Sequence, residues 1–400
     1  MRVRISIVLA CAAALATASA ATSAEMRGVT ATEIRIGQTM PYSGPVSAFG
    51  ALGKGELSYF RMVNGRGGIN GRKVNLISLD DSYAPPKTVE QTRRLVESDE
   101  VALIFSSIGT AHNTAIAKYL QAKTIPQLFI GSGASKFADI AQYPQATMGV
   151  QAPFRYEARL YARFALARKA DAKFAVISQN DDFGRDYLAG LKDVLGEKYE
   201  TVVTSATYEI TDPTIDSQIV RLKASGADVF VIAATPKFAA QAIRKAYEIG
   251  WRPTTFLSNV AVWVSTVMQP AGLEASTGVI STSYVKDPDD PAWANDAGVK
   301  GWRDFMASYA PEADLHDTNY VNAYNSAMVL EAVLKACGDD LSTENILRQA
   351  FAIHDLELPM LLPGIKVNTS PTDHVPVDQM QFMRFNGKSW ERFGELQTGN

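Results

Sequence analysis

From Ile34 onward, short apolar runs alternate with segments in which apolar residues return at helical spacing. The runs predict strands over 34–38, 73–79, 101–105, 127–130, 174–178, 201–208, 229–233, 255–258 and 279–283. Runs such as VALIF and DVFVIAA are apolar on both faces, the pattern of parallel strands covered by helices. Between the runs, PKTVEQTRRLVES places Val89, Leu95 and Val96 on one helical face. PTIDSQIVRLKASG does the same with Ile215, Ile219 and Leu222, where Asp212 and Pro213 mark a start and Gly226 a stop. Strand, turn and helix in this order predict doubly wound α/β architecture.

Two such successions are visible, over about 34–130 and 174–258, without close internal repetition of sequence. After Ser283 the pattern turns mainly helical, and the end, GIKVNTSPTDHVPVDQMQFMRFNGKSWERF, predicts strands with a turn at Asn386 and Gly387. The late segments carry no complete sheet of their own. They must complete the earlier lobes, so the chain crosses between two lobes more than once.

Size and charge fit this picture. A chain of 400 residues is long enough for two domains, each with its own core. A net charge of −3 without a basic stripe excludes a nucleic-acid partner, which needs a cationic face. The opening MRVRISIVLACAAALATASAATSAE has a basic start, an apolar centre too short to span a bilayer, and small residues up to Ala24. It predicts a secretory signal over 1–24, cut near Ala24, and hence a periplasmic protein. VLAC at 8–11 also resembles a lipoprotein box, which would lipidate Cys11. With Cys11 removed only Cys337 remains, so no internal disulfide can form, and burial of that thiol is expected.

Catalytic groupings are missing. The four histidines are scattered without metal-ligand spacing, and no Gly-x-Ser-x-Gly elbow, Walker loop or His-Glu-x-x-His occurs. The doublets Asp80–Asp81, Asp181–Asp182 and Asp339–Asp340 read as turn and helix-cap carboxylates. What recurs instead is a small polar turn after a strand: Ser43–Gly44, then SSIGTAHN at 106–113, then GSGAS at 131–135. Strand carboxyl ends are where open α/β sheets bind ligands. Glycine admits close backbone approach, and a following helix offers unpaired N–H groups to an oxyanion. Ordinary turn chemistry accounts for any one of these loops alone. In the second succession Phe183 lies beside Asp182 at a strand-to-helix turn, either as a hydrophobic staple or as a ring facing a cleft, and Phe49 has the same two readings.

Together IGQTMPYSGPVSAFG, VNGRGGINGRKVNLISLDDSYAPPKTVEQTRRLV, GTAHN, NDDFGRDYLAGLKD and IVRLKASGADVFV resemble the branched-chain amino acid-type (leucine/isoleucine/valine-binding) periplasmic solute-binding proteins of ABC transporters. The likeness runs in order over about 33–393. It implies a type I periplasmic binding protein: two doubly wound α/β lobes joined by three crossovers, with ligand between them. The lobes implied are 25–149 plus 282–354 and 150–281 plus 355–400. No enzyme activity and no cofactor are implied. The partners are a small carboxylate and the permease subunits of an importer, with the chain itself a monomer. Family positions map onto Phe49, Gly109, Thr110, Gly131, Ser132 and Gly133 in the first lobe. Across the cleft they map onto Phe183, Ala234–Thr235 and Asn259.

One departure matters. Amino acid binders of this kind carry an acid after the strand matching TTFLS, where this chain reads SNVAVW. A desolvated ammonium without a carboxylate costs several kcal/mol. Either another acid such as Asp182 supplies that charge, or the ligand is an apolar or aromatic acid without an ammonium, with Phe49, Phe183 and Trp263 available to cover it. A receptor-coupled sensor of the same solute class, or an exported α/β hydrolase, are the alternative functions.

Overall fold

The computed structural model describes residues 26–399, so the expected leader and Cys11 lie outside the described residues. The first sheet is built by β1 (Glu33–Met40), α1 (Gly50–Gly65), β2 (Lys73–Asp80), α2 (Pro85–Glu97), β3 (Leu103–Phe105), α3 (Thr110–Ala122), β4 (Gln127–Ile130) and β5 (Ala146–Met148). Its strands are parallel, in the order β2-β1-β3-β4-β5. β1 shows why it is central. Ile34 and Ile36 enter the core on one face, while Gly37 faces Val101, Ile104 and Leu95 so closely that a Cβ would lie 2.8 Å from Ile104.

The chain then leaves through α4 (Phe154–Arg168), β6 (Phe174–Gln179), α5 (Asp182–Leu195), β7 (Val203–Tyr208), α6 (Asp216–Ala224), β8 (Val229–Ala233), α7 (Pro236–Glu248), β9 (Thr254–Leu257) and β10 (Ile280–Ser283). It returns to the first half for α8 (Ala297–Tyr309), α9 (Asn319–Ala336) and α10 (Thr343–Ala350). It closes the second sheet with β11 (Gln379–Phe385) and β12 (Trp390–Thr398). That sheet runs β12-β11-β10-β9-β8-β6-β7, with β11 and β12 antiparallel to their neighbours. Three crossovers therefore join the halves, as a type I periplasmic binding protein fold requires.

Several expectations shift. β5 was not predicted, because three residues in QATMGV are too few to show a period. α6 starts at Asp216 rather than at Asp212 and Pro213, since the Asp212 carboxylate closes a turn by accepting from Glu209 N–H at 2.9 Å. Gly226, at φ +69°, still ends that helix. Of the C-terminal strands expected from 364 on, only β11 and β12 form around the Asn386–Gly387 turn; the stretch before them is a crossover held by isolated bridges such as Leu356 with Val367. Cys337 is buried among apolar neighbours, and burial pushes its thiol up to about 11.

The two faces of the first sheet carry different layers. α1, α8, α9 and α10 pack on one face with Leu103 and Phe105; α2 and α3 pack on the other with Ile104. A further apolar cluster joins the halves, uniting Met40, Val46, Phe49 and Ile108 of the first with Trp263, Leu257 and Phe238 of the second. The cleft is closed.

Candidate ligand cleft

The first wall is assembled at the carboxyl ends of β3 and β4. Gly109 sits at φ +108°, and a Cβ there would lie 2.2 Å from the His112 ring, so only glycine fits. The turn is fixed from behind, because Asn113 Nδ2 donates to Ser107 O and Gly109 O, both at 2.7 Å. α3 opens immediately afterwards at Thr110, and its first-turn N–H groups lack intrahelical acceptors. Thr110 Oγ1 lies 2.7 Å from Ser132 Oγ, which joins the two hydroxyl loops into one surface. Gly131 N–H donates to Ser107 O at 2.9 Å and Gly109 N–H to Gly131 O at 3.2 Å, so both loops keep register with the sheet.

The second wall is aromatic. Phe183 packs edge-on against Phe154 at 4.7 Å, and Trp263 meets Phe49 across the cleft edge-on at 5.2 Å. Edge-to-face pairs of this kind add about 0.5–1.5 kcal/mol beyond their buried area. Thr235 stands at the entrance to α7, its N–H donating to Tyr208 Oη at 2.9 Å. At the rim, Ser135 N–H and Oγ donate to Asp186 at 2.7 and 2.9 Å, and Lys136 pairs with Asp182 at 2.7 Å. These polar contacts join the halves in the closed state.

Between the walls lies a cavity of about 80 Å³. Among the described residues, no Asp, Glu, Lys, Arg or His lines it. Two glutamates lie behind its walls, fully buried. Glu56 of α1 accepts from Gln38 Nε2, and the Ser106 hydroxyl approaches it without ordinary hydrogen-bond geometry; burial pushes its carboxyl up to about 8. Glu157 of α4 gathers Tyr161, Tyr187, Thr282 and the N–H of Asn259. Tyr161 Oη is 2.6 Å from both Glu157 Oε1 and Leu257 O. The Tyr161 hydroxyl donates to both, a shared bond, while burial raises the Glu157 carboxyl above its ordinary range against the lowering effect of its hydroxyl and N–H donors.

Of the residues expected at a site, Phe49, Gly109, Thr110, Gly131, Ser132, Phe183, Thr235 and Asn259 all line this cavity. Gly133 does not. It packs under the crossover, where a Cβ would lie 2.9 Å from Ala152 O and from Gln151 Nε2. The Ser43 loop also stays outside, since Ser43 N–H and Oγ donate to Asp80 at 3.1 and 2.6 Å. Asp182 is not a hidden counter-charge for an ammonium. Burial works against its ionisation, but Lys136 and Arg185 hold it below the usual carboxylate range, at the rim. Asp181 caps α5 by accepting from Phe183 and Gly184 N–H, a helix cap as expected.

Other lining residues were missed. Tyr83 and Phe129 reach the cavity from left-handed backbone, at φ +56° and +51°, as does Ser106, the first hydroxyl of the expected SSIGTAHN turn, at φ +50°. No sequence pattern announces such φ values in these residue types. Asn319, Asn322 and Ser326 arrive on α9. Their three- and four-residue spacing inside an apolar helix was a usable signal.

The chain matches the family model described as periplasmic binding protein over residues 33–389. It is 25% identical over 349 residues to Leu/Ile/Val-binding protein homolog 7 of Brucella abortus, covering 81% of this chain and 82% of that one. Its fold matches that of a branched-chain amino acid ABC transporter protein from Thermus thermophilus with bound valine. There the TM-score is 0.80 at 14% identity, over 92% of this chain and 97% of the other. It also matches an R. palustris ABC transporter solute-binding protein in complex with benzoate, with TM-score 0.73 at 20% identity, over 90% and 96%.

Proposed function

The chain belongs to the periplasmic binding protein family, and from that premise we propose that it is the extracytoplasmic solute-binding component of an ABC importer, carrying a small apolar or aromatic carboxylate. The observation that supports this most directly is the chemistry of the cavity: an oxyanion surface on one wall, aromatic rings on the other, and no charged side chain lining it among the described residues.

The carboxylate meets Thr110 and Ser132 hydroxyls and the N–H groups opening α3, neutral dipoles already in place and partly desolvated. Such donors suit an anion without lysine or arginine. The rest of the ligand lies against Phe49, Phe183 and Trp263. Rotation of the second lobe about the three crossovers then seals the cleft. Ligand stabilises the closed form only through contacts made there by the second wall. A membrane permease reads the closed surface, and no step requires catalysis by this chain.

An amino acid is the less favoured cargo. The position where an ammonium needs a carboxylate holds Asn259, and the nearby Glu157 is turned inward to its own partners. The valine-bound Thermus protein and the benzoate-bound R. palustris protein mark the two cargo classes to be compared. A thermal-shift screen of short-chain, aromatic and amino acids tests the choice. A cognate acid at about 100 times its Kd adds about 2.7 kcal/mol of stability. Stabilisation by valine or leucine but by no simple acid overturns the cargo; stabilisation by neither class overturns the reading.

A further inference from the structure

α9 is an apolar helix with a polar strip. Val321, Ala327, Val329, Leu330, Val333 and Leu334 are buried in the first core, yet the cavity face carries Asn319, Asn322 and Ser326. Polar groups taken from water cost free energy unless they are hydrogen-bonded, so buried Asn319 and half-buried Asn322 and Ser326, facing an aromatic cavity, call for a partner. Tyr284 Oη donates to Asn322 Oδ1 at 3.3 Å, which turns the Asn322 amide N–H₂ away from Tyr284. Asn259 Nδ2 and Gln151 Nε2, also on the cavity, are buried without any hydrogen-bond partner. Asn319 Nδ2 leans towards Asp317 without ordinary hydrogen-bond geometry.

This strip is not the carboxylate end. α9 packs on one face of the first sheet and α3 on the other, so the two polar groupings enter the cavity from opposite sides of the sheet edge. We propose that the ligand is bifunctional, with a neutral oxygen (a hydroxyl or carbonyl) at the end remote from its carboxylate, held by Asn322 and Ser326 of α9 together with Asn259. The inference rests on the cargo reading above and narrows it to oxygenated acids. A second carboxylate is disfavoured, because two anions would repel within one small cavity that no cationic side chain lines among the described residues.

Calorimetry with matched probes tests it: benzoate against 4-hydroxybenzoate and terephthalate, 3-phenylpropionate against 3-(4-hydroxyphenyl)propionate, and pentanoate against 4-oxopentanoate. In at least one pair the oxygenated acid should bind tenfold or more tightly than its parent, and terephthalate should bind no better than benzoate. Asn322 and Ser326 are only partly buried, so Asn322→Ala and Ser326→Ala should keep the wild-type melting temperature. Each, like Asn259→Ala, should cut the preference to below threefold. Parents binding as well as every oxygenated partner would overturn the inference and leave the cargo reading standing. So would a preference that survives all three substitutions. If no acid of either kind binds, the cargo reading itself falls, and this inference with it.

Discussion

Behind each wall of the cleft sits one fully buried glutamate, and the two are used in opposite ways. Glu157, behind the second wall, is surrounded by tyrosine and threonine hydroxyls and a backbone N–H that ties it to Asn259. Glu56, behind the first wall, has Gln38 and only the approach of the Ser106 hydroxyl. Burial raises the pKa of both. The difference teaches that an acid near a binding cleft is no measure of the charge the cleft presents. One acid is a node that positions the loop after β9, the other an under-satisfied group that burial keeps from ionising readily, and neither side chain lines the cavity.

The sharpest way to break the comparison is to remove the node. Glu157→Ala leaves four buried donors without their shared acceptor and should cost about 3–5 kcal/mol in urea unfolding, whereas Glu157→Gln should cost far less. Equal losses for the two variants would mean that Glu157 acts by charge rather than by hydrogen bonding.

Glu56 should behave in reverse. Its folded pKa of about 8 lies above the ordinary 4.5, so the folded state binds the extra proton between those values. Its contribution to stability is full below about 4.5, declines as pH rises to about 8, and is flat beyond. Glu56→Gln should remove that slope and raise stability at pH 8 by on the order of 4 kcal/mol. A wild-type pH profile identical to that of the variant would rule out the raised pKa.

The first wall itself should matter to affinity more than to folding. Thr110→Ala combined with Ser132→Ala should weaken binding of the cognate acid about 30–100-fold by calorimetry, with a melting temperature close to wild type. Undiminished affinity would remove these hydroxyls from the site. Smallest of all is the rim. Lys136→Ala should lower affinity by no more than about fivefold, and less at high salt, because the Lys136–Asp182 pair is partly exposed and screened.

How much of this was legible follows from what each feature depends on. The order of elements and the parallel strands were written in runs such as VALIF and DVFVIAA, because burial on both faces leaves no polar choice. The turns Gly109–Thr110 and Gly131–Ser132 were legible because their geometry demands glycine and their chemistry needs a hydroxyl. Tyr83 and Phe129 were not, since tertiary packing imposes left-handed backbone on residues that do not favour it. Glu157 was hidden for another reason: its partners lie 4, 30, 102 and 125 residues away, beyond any local pattern. The polar strip of α9 lay in plain view, but its meaning depended on a cavity that only the crossovers create.

On the binding role proposed above, those three crossovers also govern how the protein moves as a mechanical object. A single tether would let the halves twist, slide and tumble about one another. Three tethers act like the pins of a door, favouring one angle of swing as the soft coordinate. Anything that touches both halves from outside therefore senses one number, how far the door stands open.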